Sequence, residues 1–115
     1  MLSSKPLVGR CLCGAVSVSA TLSHRDVGAC HCATCRRWGG GPLLAVECED
    51  QVTFSGEAQI GVYASSDWAE RGFCKQCGTH LFYRLREQPF YAIPIGLLDE
   101  QAGWQLNREV FIDQK

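Results

Sequence analysis

The 115-residue chain has little of several features that would assign it to a functional class at once. It has no surplus of either charge, since 11 basic and 12 acidic side chains give a formal net charge of -1. Sequence-independent nucleic-acid binding needs clustered lysine and arginine, so this balance indicates that nucleic acid is not the partner. The chain also has no apolar run near the roughly 20 residues that cross a bilayer, and no apolar segment of signal-peptide length near its beginning. We therefore expect a cytoplasmic protein with no membrane partner.

Long amphipathic helices are missing as well, because no segment keeps an apolar 3.6-residue period beyond two turns. Helical turns are expected only at DEQAG and just after Cys35. Alternation of apolar and polar residues marks CGAVSVSATL, LLAVECE, QVTFSG, QIGVYAS, HLFYRL, FYAIPIG and REVFID. In the first of these segments the apolar face consists of Val16, Val18, Ala20 and Leu22. The pattern predicts one all-β domain, residues 1–115, of roughly seven or eight short strands.

Cysteine is the residue type in excess. Eight cysteines among 115 residues is 8/115, about 7%, just below the roughly 8–10% of secreted disulfide scaffolds. Because no secretion signal is present, we expect reduced thiols, and clustered reduced thiols most often bind metal. Seven of the eight cysteines fall into two sets by their spacing.

The first set consists of the C-x-C-G segment CLCG and the C-x-x-C-G segment CKQCG. Each pair can direct two thiolates at one ion, and Gly78 can take the positive φ that a zinc-knuckle turn needs. The two pairs predict a closed, structural zinc site with four ligands: Cys11, Cys13, Cys74 and Cys77. A thioredoxin-like redox pair is the alternative for CKQC, but that motif opens a helix, whereas THLFYRL has the periodicity of a strand.

The second set is the C-x-C-x-x-C of ACHCATC, formed by Cys30, Cys32 and Cys35. Three thiolates this close can chelate one ion, which leaves the fourth position of a tetrahedral zinc site to be filled. Four residues are candidates for it, namely Cys48, His31, His80 and His24.

None of these candidates is favoured by its place in the sequence. Cys48 shares a strand face with Leu44 and Val46 and is expected to be a core thiol. His31 lies between two ligands, so its side chain should point away and make a hydrogen bond or be exposed. His80 begins a strand, where a histidine usually contacts a neighbouring side chain, although it could line the cavity of the second zinc site. His24 lies in a polar loop. The fourth position is therefore predicted to be open.

An open position gives the second set a chemical use. The charge of the ion lowers the pKa of a bound water or thiol, and a thiolate-rich site favours a sulfur ligand. We therefore predict that this second zinc is catalytic. With its three thiolates the bound zinc would have a net charge near -1. Basic side chains near the two sets either offset this charge or are exposed, solubilising surface groups. They are Arg36 and Arg37 next to the second set, and Arg71 and Lys75 flanking the first. Trp38, before three glycines, either walls a pocket or packs in the core.

The cysteine motifs, taken in order, resemble those of the glutathione-dependent formaldehyde-activating (GFA) family, to which centromere protein V-like zinc domains are related. The resemblance extends from CLCGAV through CHCATCRRWGGGP, VTFSG and RGFCKQCGTHLFYR to IPIGLLDE. It implies a β-tent fold of short antiparallel strands with two zinc ions. By this resemblance the four cysteines of the first set hold the structural zinc, and Cys30, Cys32 and Cys35 hold the catalytic one.

The resemblance also implies a carbon–sulfur lyase that joins a small thiol, glutathione, to an aldehyde, formaldehyde, as S-hydroxymethylglutathione. The thiolate would bind at the open zinc, and Arg36 or Arg37 would receive a glutathione carboxylate. The zinc, or a nearby donor such as His31, would stabilise the developing alkoxide. Two alternatives stay open. One is a non-catalytic zinc-binding interaction module, and the other is a zinc- or redox-responsive protein in which the second set of thiols is labile.

Overall fold

The structure, a computed structural model, describes residues 6–21, 26–48, 52–87, 90–100 and 104–110. Within these ranges the chain forms ten strands and one α-helix. In chain order they are β1 (Leu7–Arg10), β2 (Ser17–Ala20), β3 (Asp26–Cys30), α1 (Ala33–Gly39), β4 (Leu43–Cys48), β5 (Val52–Ser55), β6 (Ile60–Ala64), β7 (Ala69–Cys74), β8 (His80–Leu85), β9 (Tyr91–Pro94) and β10 (Gln105–Val110). Two 3-10 turns, Glu57–Gln59 and Ile95–Leu97, complete the described structure.

All seven segments with period-two alternation contain a strand, so the predicted all-β class is confirmed. The helical turn expected just after Cys35 is also present, although α1 already begins at Ala33. Residues 101–103 of DEQAG and residues 111–113 of REVFID lie outside the described residues. Three strands were not expected from alternation, namely β1, β3 and β7. No helix in the described ranges combines the length and the apolar character needed to cross a bilayer.

The strands form two sheets. The smaller has the order β1-β2-β5, and the larger has the order β10-β3-β4-β9-β8-β7-β6. Neighbouring strands are antiparallel, except that β10 runs parallel to β3. The expectation of short antiparallel strands is thus confirmed, with this one parallel pair as the exception. β10 follows β9 in the chain but occupies the edge of the larger sheet beyond β3 and β4, and such a crossover permits parallel pairing.

The core lies between the apolar faces of the two sheets. Val16, Val18 and Ala20 are buried, as the alternation of this segment predicted, and Leu22 lies outside the described residues. They belong to the same cluster as Val46 and Ile93, which pair across β4 and β9 of the larger sheet. Phe54 of β5 extends the contact, since its ring centroid lies 5.3 Å from that of Phe82 on β8. Leu44 is the exception on its predicted face, with 42% of its surface exposed near the beginning of β4.

Gly72 shows how closely β7 and β8 pack. It pairs with Phe82, and a Cβ atom added at Gly72 would overlap the Phe82 ring. Overpacking of a core typically costs ~1–3 kcal/mol. We therefore expect Gly72→Ala to lower the thermal midpoint of the metal-loaded protein by roughly 10 °C, as measured by circular dichroism.

Gly96→Ala is the matched control, because a Cβ at Gly96 meets no atom within 4 Å. Its midpoint should stay within about 2 °C of the parent. An equal shift in the two variants would show that the contact between Gly72 and Phe82 does not limit stability.

Candidate metal centres and the adjoining cavity

The first group of thiols, which we name the four-cysteine cluster, joins two tight turns. One turn follows β1 and the other follows β7, and each contains a glycine in the left-handed region, Gly14 at φ 81° and Gly78 at φ 79°. The turn after β7 is closed by a hydrogen bond of 2.8 Å from the Gly78 N–H to the Cys74 carbonyl. The predicted role of Gly78 is thus confirmed. The cluster consists of Cys11, Cys13, Cys74 and Cys77.

The geometry of the four-cysteine cluster fits a tetrahedral zinc ion. All four sulfur atoms lie within 4.8 Å of one another. The Sγ of Cys13 is 3.6 Å from that of Cys11 and 3.7 Å from that of Cys74. A zinc–sulfur distance of about 2.3 Å corresponds to a tetrahedral sulfur–sulfur edge of about 3.8 Å, which these two distances approach. Cys11 directly follows β1 of the smaller sheet, and Cys74 is the last residue of β7 in the larger sheet. An ion bound by both residues would therefore link the two sheets.

Thr79 completes the four-cysteine cluster and was not anticipated from the sequence. Its hydroxyl oxygen accepts a hydrogen bond of 3.0 Å from the Leu12 N–H and lies 3.1 Å from the Cys77 Sγ. The hydroxyl proton is therefore available to the sulfur. This contact and a backbone hydrogen bond from Thr79 lower the pKa of Cys77 to about 5. The threonine favours the thiolate form, which is the form that binds metal.

The second group, which we name the three-cysteine cluster, is built where β3 ends and α1 begins. Cys30 is the last residue of β3, Cys32 is the N-cap of α1, and Cys35 lies in its first turn. The Cys35 N–H donates a hydrogen bond of 3.4 Å to the Cys32 Sγ, so one sulfur both caps the helix and faces the cluster. The three sulfur atoms lie within 4.8 Å of one another. Among the described residues, no fourth cysteine, histidine or carboxylate joins this group.

The candidates for a fourth ligand have other surroundings. Cys48 belongs to the core cluster, and burial raises the pKa of its thiol to about 12, so its expected place in the core is confirmed. His80 stacks on Trp38 with ring centroids 3.8 Å apart, which is the ordinary partner expected of it. His31 is buried, with 6% of its surface exposed, so the exposed alternative for it is wrong. His24 lies outside the described residues.

Arg71 lies against the three-cysteine cluster, although in the chain it is only three residues from Cys74 of the four-cysteine cluster. Its two terminal guanidinium nitrogens are each 3.6 Å from the Cys35 Sγ. The guanidinium carbon lies 5.0 Å from the ring centroids of both Trp38 and Tyr83. Only 5% of the residue is exposed. The alternative of an exposed, solubilising charge is therefore wrong for Arg71. Trp38 is half-buried and lies outside the core cluster, where it packs against His80 and Arg71.

Burial raises the pKa values of Cys35 and Cys32, and hydrogen bonds donated to their sulfur atoms lower them. Burial raises the pKa of Cys35 to about 12, and the hydrogen bond from Arg71 opposes that rise. For Cys32 burial also favours the thiol, but hydrogen bonds from the Cys35 backbone and from neighbouring side chains outweigh it and lower the pKa. Burial and the charge of Arg71 both lower the pKa of His80, which favours its neutral form. A bound divalent cation would hold the cysteines as thiolates.

A cavity of about 510 Å³ adjoins the three-cysteine cluster. One face of the larger sheet forms the floor of this cavity. The residues on that face are alternate residues of each strand, and they lie beside their pairing partners on the neighbouring strands. Cys30 pairs with Leu43 across β3 and β4. A second row crosses four strands, and each of its members lines the cavity: Glu47, Ala92, Tyr83 and Arg71. Neither Arg36 nor Arg37 is among the described residues that line it.

The fold and the thiol groups define a class: a small all-β domain with one closed set of four thiols and one set of three beside a cavity. The family model for the glutathione-dependent formaldehyde-activating enzyme matches residues 6–114. The chain therefore belongs to this family, as its cysteine motifs indicated.

Individual relatives agree with this assignment. An uncharacterized lyase of Schizosaccharomyces pombe is 43% identical over 75 residues, which cover 65% of this chain and 55% of that protein. A Podospora anserina protein provisionally named glutathione-dependent formaldehyde-activating enzyme is 33% identical over 105 residues, covering 84% of this chain and 49% of that protein. The chain thus spans about half the length of the curated relatives it matches.

A solved structure shares the fold. The crystal structure of a Rhodobacter sphaeroides protein superposes with a TM-score of 0.75, covering 90% of this chain and all of that one. At 23% identity this likeness concerns the fold alone.

Proposed function

We propose that this chain is a zinc-dependent enzyme of the carbon–sulfur lyase type. It would join a small thiol such as glutathione to an aldehyde such as formaldehyde, and would catalyse the reverse cleavage. The observation that carries the proposal is the convergence of three thiols at the edge of a cavity without a fourth protein donor among the described residues. A zinc site with three protein ligands is the arrangement that leaves a position for a substrate. The names of the family and its relatives support the same chemistry.

The two clusters divide the metal-binding roles in this proposal. Cys11, Cys13, Cys74 and Cys77 would hold a structural zinc ion, and Cys30, Cys32 and Cys35 would hold a catalytic one. The catalytic ion, when bound, supplies positive charge that lowers the pKa of a substrate thiol.

The other residues of the chain position and balance this centre. Arg71 donates toward Cys35 and offsets one of the three thiolate charges. The rings of Trp38 and Tyr83 hold its guanidinium in place. The sheet floor shields one side of the cavity from water, which strengthens electrostatic interactions there. In the reaction a carbon–sulfur bond forms, the carbonyl π bond breaks, and the thiol proton ends on the oxygen. Binding of a carboxylate by Arg36 or Arg37 and stabilisation of the alkoxide by His31 stay predictions.

Metal analysis and X-ray absorption test the proposal together with a rate measurement. We expect two zinc ions per chain, and added glutathione should raise the average number of sulfur ligands per zinc from about 3.5 toward 4. We also expect the interconversion of glutathione, formaldehyde and their adduct to be faster than the uncatalysed reaction, as measured by exchange NMR. Cys48→Ala is the control, because Cys48 lies in the core outside both clusters.

Two results would contradict the proposal. Four sulfur ligands on both ions before glutathione is added, with no acceleration, would support a non-catalytic zinc module. One ion per chain, with oxidisable thiols at the three-cysteine cluster, would support a redox-responsive protein.

A further inference from the structure

The cavity beside the three-cysteine cluster is much larger than formaldehyde requires. Its depth comes from small residues at paired positions on the sheet face, since Gly28 pairs with Ala45 and both line the cavity. Ala92 lies in the second row between Glu47 and Tyr83, and it too leaves space above the sheet. At about 510 Å³ the cavity falls in the range of sites that enclose small organic ligands.

The raised walls of the cavity are mainly aromatic and aliphatic. Leu43, Tyr83 and Phe90 line it, and the ring of Phe90 meets that of Tyr83 edge-on with centroids 6.5 Å apart. Trp68 also lines it, although 63% of this residue is exposed. A large exposed apolar side chain beside a reactive cluster is typical of a surface that contacts a ligand.

The charges of the described cavity walls do not suit a carboxylate, so the carboxylates of a thiol such as glutathione would lie outside this cavity. Arg71 is the one basic residue among the described residues that line the cavity. Its terminal nitrogens lie against Cys35, and rings lie within 5.0 Å of its guanidinium carbon on Trp38 and Tyr83. Glu47, an acidic residue, also lines the cavity. Burying a carboxylate against such walls without a paired cation is unfavourable.

We propose that this cavity binds an apolar group of aromatic size that is attached to the reacting carbonyl carbon or thiol sulfur. The inference rests on the proposed function and names the substrate class of the same site. For either source the reaction is a thiol addition, in which R–SH and R′–CHO give R–S–CH(OH)–R′. The sulfur bonds to the carbonyl carbon, the thiol proton moves to the oxygen, and no oxidant or reductant is consumed.

The experiment has one arm for each source and uses the zinc-loaded chain. In the first arm, calorimetry compares the binding of benzyl mercaptan with that of 2-mercaptoethanol. In the second arm, with glutathione as the thiol, the enzymatic acceleration with phenylacetaldehyde is compared with that for formaldehyde, each relative to its uncatalysed rate. We expect a preference of about tenfold or more for the aromatic compound in at least one arm, since a well-packed apolar group discriminates by this order.

Ala92→Leu supplies the decisive variant, because its longer side chain would occupy the space above the second row. It should reduce the preference to about twofold or less. Ala58→Leu is the matched control, since Ala58 is exposed in the 3-10 turn Glu57–Gln59 and does not line the cavity. If Ala92→Leu does not fold, Phe90→Ala tests the same cavity by removing a wall, with the same expected loss.

The outcomes separate the inference from the proposed function. A preference in the first arm assigns the apolar group to the thiol, and a preference in the second assigns it to the aldehyde. Acceleration with glutathione and formaldehyde but no preference in either arm overturns the inference and leaves the function standing. A preference in binding that Ala92→Leu removes, without acceleration for any pair, keeps the cavity assignment and overturns the lyase function. A preference that Ala92→Leu leaves unchanged also overturns the inference.

Discussion

Cys74→Ser is expected to leave the chain unfolded and to abolish the zinc binding proposed for the four-cysteine cluster. Cys74 is fully buried at the end of β7, and its sulfur lies 3.7 Å from that of Cys13, which belongs to the other turn of the cluster. Structural zinc contributes about 10–16 kcal/mol in small zinc domains, whereas whole domains are stable by only about 5–15 kcal/mol. Weakening this site therefore removes a contribution comparable with the entire stability. Loss of dispersion in the amide NMR spectrum, together with zinc analysis, measures the effect.

Cys32→Ser is the matched comparison, since it removes one thiol from the other cluster. Cys32 caps α1 by accepting a hydrogen bond from the Cys35 N–H, and serine is a favoured N-cap. The variant should stay folded, retain the zinc of the four-cysteine cluster and lose catalytic activity. If Cys32→Ser and Cys74→Ser unfold the chain to the same extent, the division into structural and catalytic clusters is wrong.

Arg71→Met is expected to weaken zinc binding at the three-cysteine cluster by about 10–100-fold, the range found when a residue that supports a metal ligand is removed. Three thiolates and a bound divalent ion would carry a net charge of -1, which Arg71, 3.6 Å from the Cys35 sulfur, would offset. Methionine is long and apolar, so it can still pack between Trp38 and Tyr83 and keep the fold. Competition with a chromogenic chelator measures the affinity of the weaker site.

Two further variants make the Arg71 prediction specific. Arg71→Lys keeps the charge but loses the planar contact with both rings, so its affinity should lie between those of the parent and of Arg71→Met. Lys75→Met removes an exposed charge beside the four-cysteine cluster and should leave the affinity within about twofold. If Arg71→Met binds zinc as tightly as the parent, charge compensation by this residue is not needed.

The sequence predicted strands correctly where one face of the strand is apolar and the other is polar. β2 and β4 follow that pattern because one side of each lies in the core. β3 was missed because glycine interrupts its short sequence, DVGAC, before it ends on a cluster thiol. β7 was missed because AERGFC places the buried Arg71 where periodicity requires an apolar residue. In both strands the departures from the pattern lie at the cluster and its cavity.

The sequence by itself determined the pairs Cys11–Cys13 and Cys74–Cys77 and the set of three, because cysteines separated by one or two residues meet through the geometry of a single turn or helix start. The meeting of the two pairs, whose residues Cys13 and Cys74 are 61 positions apart, was predicted from the four ligands of a closed zinc site, and the fold brings it about. It also determined the all-β class, since alternation is a local property of each strand. Only the tertiary structure decided that Arg71 lies against Cys35 and that a mainly apolar cavity adjoins the three thiols. Those relations depend on the pairing of β4, β9, β8 and β7, which aligns Glu47, Ala92, Tyr83 and Arg71 in one row. The order in which distant strands pair follows from packing of the whole domain, and no local pattern specifies it.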